Sequence, residues 1–239
     1  MLPKSVFPKS NRPVAVGVNG MVSSAHPLAS QAGLRMLMDG GNAIDGAIAT
    51  AATLNVVEPY MSGLGGIGLA LIYINKDAKV KALNFSGRTA KAAHSDQFTE
   101  ESKRTGIKSA LIPGTVAGWL TMHEEYGSLD IEHVFKPAID YAQNGFPITS
   151  LNSKIMSSAI QQLSKFPSVS LIRRHGNKLP EPGSKHFFPE LAESLRAVAR
   201  GGKESFYRGE LAEKIVKGNE EMGGMFTLED FAEYNPEWQ

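Results

Sequence analysis

The sequence predicts an α+β fold, and three observations carry that assignment. LALIYI, NKDAK and VKALNF follow one another between Leu69 and Phe85, two β-rich runs around a polar turn, which is the signature of a hairpin. Ahead of them lies AIDGAIATAATLNVV, apolar on all sides and therefore a helix buried between layers. Behind them come several segments with apolar residues at helical intervals. At 239 residues the chain is long enough to bury a substantial core. The elements divide it into residues 1–110, which hold the sheet and the buried helices, and residues 111–239, a mainly helical lobe.

Taken in order, Val14 to Val22 is short and β-like. HPLASQAGLRMLMDGG then spaces Leu28, Ala32 and Met36 at helical intervals and ends on Gly40-Gly41. Asn42 is placed to cap the second, buried helix, and Glu58-Pro59 stops it. After the hairpin, PGTVAGWLTMHEEYG, IEHVFKPAIDYAQNG, SLNSKIMSSAIQQLSKF, FPELAESLRAVARGG and GELAEKIVKGNEEMGG each carry an apolar stripe, and most end at glycine. Asp130 and Thr227 are candidate amino-terminal caps, and Pro137 is expected to kink or restart its helix. Phe166 to Pro189 is the one long irregular stretch, read as a surface loop or lobe junction.

Bulk properties narrow the function. Twenty-five basic residues against 24 acidic ones leave no net field to attract nucleic acid or an anionic membrane, so neither is an expected partner. The absence of cysteine removes disulfides, thiolate metal sites and cysteine nucleophiles. The start, MLPKSVFPKSNRPVAV, has no apolar run of the length a signal peptide or membrane span requires, so a cytoplasmic chain is expected. The six histidines, His26, His94, His123, His133, His175 and His186, include no pair with the spacing of a helical zinc site, and no metal or cofactor is expected. His123 beside Glu124 and Glu125 reads as a solvated helix face, and Arg173-Arg174-His175 as an exposed basic run. Neither a G-x-S-x-G elbow nor a phosphate loop of the G-x-x-x-x-G-K-[ST] type occurs.

Two stretches retain chemical interest. Gly63-x-Gly65-x-x-Gly68 has the spacing of a dinucleotide-binding loop, but such a loop must open a helix, and these glycines lead into a strand. Their role is then conformational: positive φ and close backbone approach where a buried helix hands over to a strand. In NFSGRTAKAAHSDQF, Arg88 follows a strand and a glycine. There its guanidinium could protrude from the end of the sheet and grip a carboxylate in bidentate fashion, or it could be an exposed structural arginine.

The stretch GMVSSAHPLASQAGLRMLMDGGNAIDGAIATAATLNVVEPYMSGLGG closely resembles the amino-terminal region of γ-glutamyltranspeptidases. IPGTVAGWLTMHEEYG, FKPAIDYAQNGFPIT, ESFYRGELAEKIV and GGMFTLEDFAEY are similar to later landmarks of that family in the same order, so the likeness covers nearly the whole chain. The resemblance implies an N-terminal-nucleophile hydrolase, a four-layer αββα sandwich made as one precursor that cuts itself into a large and a small subunit. Residues 1–239 correspond to the large-subunit region of that one domain. It further implies that the nucleophile is the amino-terminal threonine of the small subunit, beyond Gln239, with its own α-amine as base and the oxyanion donors beside it.

On the same resemblance the small subunit is the expected partner, a glutathione-like γ-glutamyl compound the expected donor, and Arg88 the arginine that holds the donor's α-carboxylate. The chain alone is then expected to be inactive and to fold poorly, its sheet edges waiting for the small subunit. Two departures stand out. The family's arginine is followed by glutamate, a variable residue, alanine and proline, whereas Arg88 is followed by Thr89, Ala90 and Lys91; and Ile67 interrupts what is commonly an unbroken glycine run. They keep open a related acylase with another amide substrate, or a non-catalytic scaffold if the gene ends near Gln239.

Overall fold

A computed structural model describes residues 14–167 and 179–239. The chain opens with α1 (Pro27–Met38) and α2 (Ala43–Val57), followed by the hairpin β1 (Gly68–Ile74) and β2 (Lys79–Phe85). Next come α3 (Thr115–Tyr126), α4 (Ile131–Asn144), β3 (Phe146–Pro147) and α5 (Ser150–Leu163). The last elements are β4 (Lys185–His186), α6 (Pro189–Tyr207), α7 (Glu210–Glu221), α8 (Leu228–Ala232) and β5 (Glu237–Trp238).

Helix α2 is the centre of the core, and its sequence explains why. Asn42 caps it through bonds from the backbone of Ile44 and Asp45, while Asp45 bonds back to the Asn42 N–H, a reciprocal capping box. Small and β-branched residues let α1, α3 and α4 approach it together, and Ile48, Ala49, Ala52, Val56 and Val57 are fully buried. One continuous apolar cluster runs from Met36 on α1 to Tyr234 after α8. Asp130 and Thr227 cap α4 and α8 as their sequences predict.

Strands β1 and β2 pair antiparallel with Gly68 opposite Phe85 and Ile74 opposite Lys79. β5 adds to the free edge of β2, with Leu83 opposite Trp238 and Asn84 opposite Glu237. The order β1-β2-β5 thus joins the last residues of the chain to its central hairpin. One face of this sheet, through Ile72, Leu83 and Phe85, packs on the helices. The other carries Leu69, Leu71, Tyr73 and Val80, which are 74, 79, 61 and 66 % exposed. A contiguous apolar strand face of this kind is what a second layer normally covers.

Several details depart from the sequence expectations. Val14 to Val22 forms no strand among the described residues, and Val14, Val16 and Val18 are exposed. Their alternation is strand-like, but a strand needs a neighbour to take its hydrogen bonds, and none pairs with it among the described residues. Pro137 does not restart its helix: α4 is continuous from Ile131 to Asn144. The segment FPELAESLRAVARGG does break at its glycines as the sequence predicts, Gly202 being non-helical (φ 59°, ψ −150°), but a second helical piece follows at once and carries α6 on to Tyr207. Of the stretch read as irregular, residues 168–178 lie outside the described residues, the Arg173-Arg174-His175 run among them. Within its described part, Lys185–His186 pairs with Phe146–Pro147.

His123 does not lie on a solvated face. Its side chain is 17 % exposed, its Nε2 lies 2.8 Å from the carbonyl of Leu129, and buried Asp45 sits 3.9 Å away. Glu124 and Glu125 pair instead with Lys203 and Lys81, so three successive residues serve three separate contacts. No helix among the described residues is long and apolar enough to cross a membrane.

Candidate functional site

The glycine run opens β1 at Gly68 and no helix, so the nucleotide reading has no helix amino terminus to rest on. None of Gly63, Gly65, Gly66 and Gly68 has a positive φ, which corrects half of the conformational reading. Close approach is what remains: a Cβ on Gly68 would collide with the Phe85 ring directly across the hairpin. The carbonyl of Gly66 accepts from the N–H groups of Gly114 and Thr115, tying this loop to the start of α3.

Beside it, β2 ends in a built turn. Asn84 Oδ1 accepts from the backbone N–H of Ser86 at 3.0 Å and from its hydroxyl at 2.6 Å. Gly87 follows because the 111–112 segment passes too close for a side chain: a Cβ there would meet the Ile112 carbonyl at 2.5 Å and Leu111 Cβ at 2.6 Å. That segment then holds the next residue, the N–H of Ile112 donating to the carbonyl of Arg88 at 2.8 Å. The backbone of Arg88 is therefore fixed while its side chain remains 57 % exposed at the end of the sheet.

The carboxy-terminal segment closes over this turn. Tyr234 donates its hydroxyl to the carbonyl of Ser86 at 2.9 Å and stacks on Tyr207, centroids 5.7 Å apart and planes 14° from parallel. Tyr207 is itself pinned, donating to Pro113 O at 2.8 Å and accepting from Ala117 N at 3.1 Å, and its burial pushes its phenol well above the ordinary range. Glu237 pairs with Arg88 at 2.5 Å. Lys91 is taken on three sides: its N–H donates to Asp230 Oδ1 at 3.0 Å, and its ammonium meets Glu229 at 2.9 Å and Glu233 at 2.7 Å.

These contacts set the local charge states. Hydrogen bonds from the Lys91 ammonium to Glu233 and Glu229 raise its pKa, and the bond to Glu233 lowers that carboxyl. For Asp230, burial pushes upward, but bonds from Lys91 N–H and from Thr227 outweigh it and hold the carboxyl below its usual range. Burial raises the Tyr234 phenol, with the charge of Arg88 acting in the opposite direction.

Arg88, the residue singled out from sequence, thus stands where a strand end, a glycine turn and the last ordered segment meet. Its partner Glu237 and the brace Tyr234 escape a sequence reading, because both reach it through the long-range pairing of β2 with β5. A weak signal exists: Glu229, Glu233 and Glu237 recur at intervals of four, marking one acidic line through α8 and beyond. Among the described residues no three histidine, aspartate or glutamate side chains gather as a metal site would require.

Comparison with known proteins identifies the family and the fold. The family model described as gamma-glutamyltranspeptidase matches residues 29–239. The chain is 40 % identical over 226 residues to the glutathione hydrolase-like YwrD proenzyme of Bacillus subtilis, covering 93 % of this chain and 43 % of that protein. Among solved structures, the gamma-glutamyltranspeptidase of Helicobacter pylori matches with a TM-score of 0.91 at 32 % identity, over 95 % of this chain and 67 % of that one. A cephalosporin acylase from Bacillus halodurans matches with a TM-score of 0.89 at 35 % identity, over 100 % of this chain and 46 % of that one. The chain spans less than half the length of the curated relatives it matches.

Proposed function

The chain belongs to the γ-glutamyltranspeptidase family and has the large-subunit part of the N-terminal-nucleophile hydrolase fold; from that premise we propose that the whole protein is an autoprocessed enzyme that transfers or hydrolyses γ-glutamyl groups of glutathione-like donors. In this reading the reacting threonine belongs to a small subunit cut from the same precursor. Its free α-amine removes the hydroxyl proton, the oxygen attacks the donor's γ-carbonyl, and the leaving amine departs with a proton. Water or an acceptor amine then attacks the acyl-enzyme and releases the threonine. The residues of this chain do two things: they bind and orient the donor, and they present a surface that the small subunit covers.

The observation that carries the proposal is the placement of Arg88. A guanidinium with a fixed backbone and an exposed fork lies at the end of β2, on the sheet whose far face, Leu69, Leu71 and Tyr73, has no covering layer among the described residues. A donor α-carboxylate bound there would lie beside the junction of the two subunits. Arg88→Ala in the complete gene product tests the role, with hydrolysis of a γ-glutamyl anilide as the readout. The expected result is a KM raised about tenfold or more, the scale of a lost charge-assisted contact on a half-exposed group, with self-cleavage intact. An unchanged KM contradicts it.

A second reading is favoured by a specific observation: Thr89, Ala90 and Lys91 occupy the positions after Arg88, and Lys91 is tied down by Glu229 and Glu233. In that reading the fold and nucleophile are the same, and the donor is another amide, as the likeness to a cephalosporin acylase accommodates.

A further inference from the structure

We infer that Glu237 is a specificity-determining residue: by holding Arg88 in an ion pair it lets the donor site accept a neutral carboxamide about as readily as a carboxylate. The inference rests on the proposed role of Arg88 and deepens it.

Four observations lead there. Arg88 and Glu237 are both more than half exposed, so the pair lies open to a donor rather than sealed in the core. Glu237 is not a loose tail residue, because it sits opposite Asn84 in the β2–β5 ladder, and the next rungs, Gln239 N–H to Ala82 O at 2.8 Å and Ala82 N–H to Gln239 O at 3.1 Å, fix its approach. Lys91, the other cation of the turn, cannot substitute for the neutralised charge, since Glu229 and Glu233 already bracket it. The surroundings are therefore acidic: Glu229, Asp230, Glu233 and Glu237 face two cations.

A guanidinium that already bears one carboxylate offers a second one a neutral partner, so most of the Coulombic preference for an anion is cancelled. Its hydrogen-bonding capacity is not: of five N–H donors, the ion pair with Glu237 engages only those on Nη2. Remaining donors serve a carbonyl oxygen of a carboxamide as well as a carboxylate oxygen. The substrate class that follows is the γ-acyl amide whose α-substituent is a neutral hydrogen-bond acceptor, handled alongside the γ-glutamyl donors.

The test uses two probes on the complete, self-processed gene product: γ-glutamyl-p-nitroanilide and its analogue with the α-carboxylate converted to a primary carboxamide. The parent enzyme is expected to show kcat/KM values within about fivefold of each other, and Glu237→Gln to shift the ratio about fivefold toward the carboxylate, through KM, as expected for an exposed charge pair. Glu237→Ala should shift it the same way, and Glu210→Gln, which removes an exposed carboxylate paired with Lys214 on α7 and touches neither Arg88 nor Lys91, should leave it unmoved. An unchanged ratio in both Glu237 variants, or an equal shift in Glu210→Gln, overturns the inference. Arg88→Ala separates the two layers: if it moves neither donor the role of Arg88 itself fails, whereas if it weakens the carboxylate donor while Glu237→Gln does nothing, only the role of Glu237 fails.

Discussion

Arg88 and Glu237, 149 residues apart in sequence, meet at 2.5 Å at the end of a three-stranded sheet. One comes from the turn after β2 and the other from β5, so the contact exists only because the last residues of the chain pair with its central hairpin. Whatever holds β5 in place also sets the charge at the candidate donor site.

Outside the ladder, Lys81 helps to hold β5. Its ammonium bonds Glu125 at 3.0 Å and the Tyr126 hydroxyl, and lies 5.2 Å and 5.5 Å from the ring centres of Tyr126 and Trp238. Lys81→Met keeps the aliphatic stem and removes those contacts. Backbone amide exchange at Ala82 and Gln239 is expected to accelerate about three- to tenfold, a local opening with the core amides of α2 unaffected. Unaltered exchange at both amides would show that the ladder holds β5 without help.

Gly87→Ala is expected to disturb the site more than the fold. The added methyl meets the Ile112 carbonyl and Leu111 Cβ, so the turn must move away from the segment that fixes the Arg88 backbone. A stability loss of about 1–3 kcal/mol follows from overpacking of this kind. A rise in KM for a γ-glutamyl anilide should accompany it, and unchanged kinetics at reduced stability would detach the turn from donor binding.

Asp45 predicts an acid-dependent term in stability. It is fully buried at the start of α2 and accepts from Asn42 N–H at 2.8 Å, the Ser128 hydroxyl at 2.6 Å, Ser128 N–H at 3.1 Å and Leu129 N–H at 3.3 Å. Burial alone would raise its carboxyl; the bonds from Ser128, Asn42 and Leu129 outweigh burial and lower it. A carboxyl lowered in the folded state contributes its stability in full above the unfolded value of about 3.9, and the contribution is lost as pH falls through the folded value. Asp45→Asn should cost about 2–4 kcal/mol near neutrality, because an amide nitrogen then faces N–H donors. It should also flatten the decline of the urea midpoint below about pH 4, and parallel curves for variant and parent would rule out this origin.

Much of this was legible in the sequence for local reasons. The hairpin follows from two β-rich runs about a polar turn, and α2 from a capped alanine-rich stretch with no polar side, because hydrophobic period and capping act within a few residues. Arg88 was legible as a candidate from its place after a strand and a glycine. Its partner was not, since the pairing of β5 with β2 is decided by tertiary packing of Lys81, Tyr126 and Trp238, residues far apart in the chain. Val14 to Val18 shows the opposite failure: its alternation is that of a strand, but alternation supplies no hydrogen-bonding neighbour. His123 was misread because a flanking Glu-Glu pair suggests solvent, whereas its ring turns back on Leu129 and Asp45.

The central claim is that this chain is the large-subunit part of a self-cleaving amidohydrolase whose uncovered sheet face is completed by a second subunit. Intact-mass analysis with amino-terminal sequencing of everything that co-purifies from the complete natural gene tests it most directly. The account predicts two chains that stay together, the second beginning with threonine. A single uncut species would contradict it, leaving Arg88 and the apolar face of β1 with no nucleophile to serve.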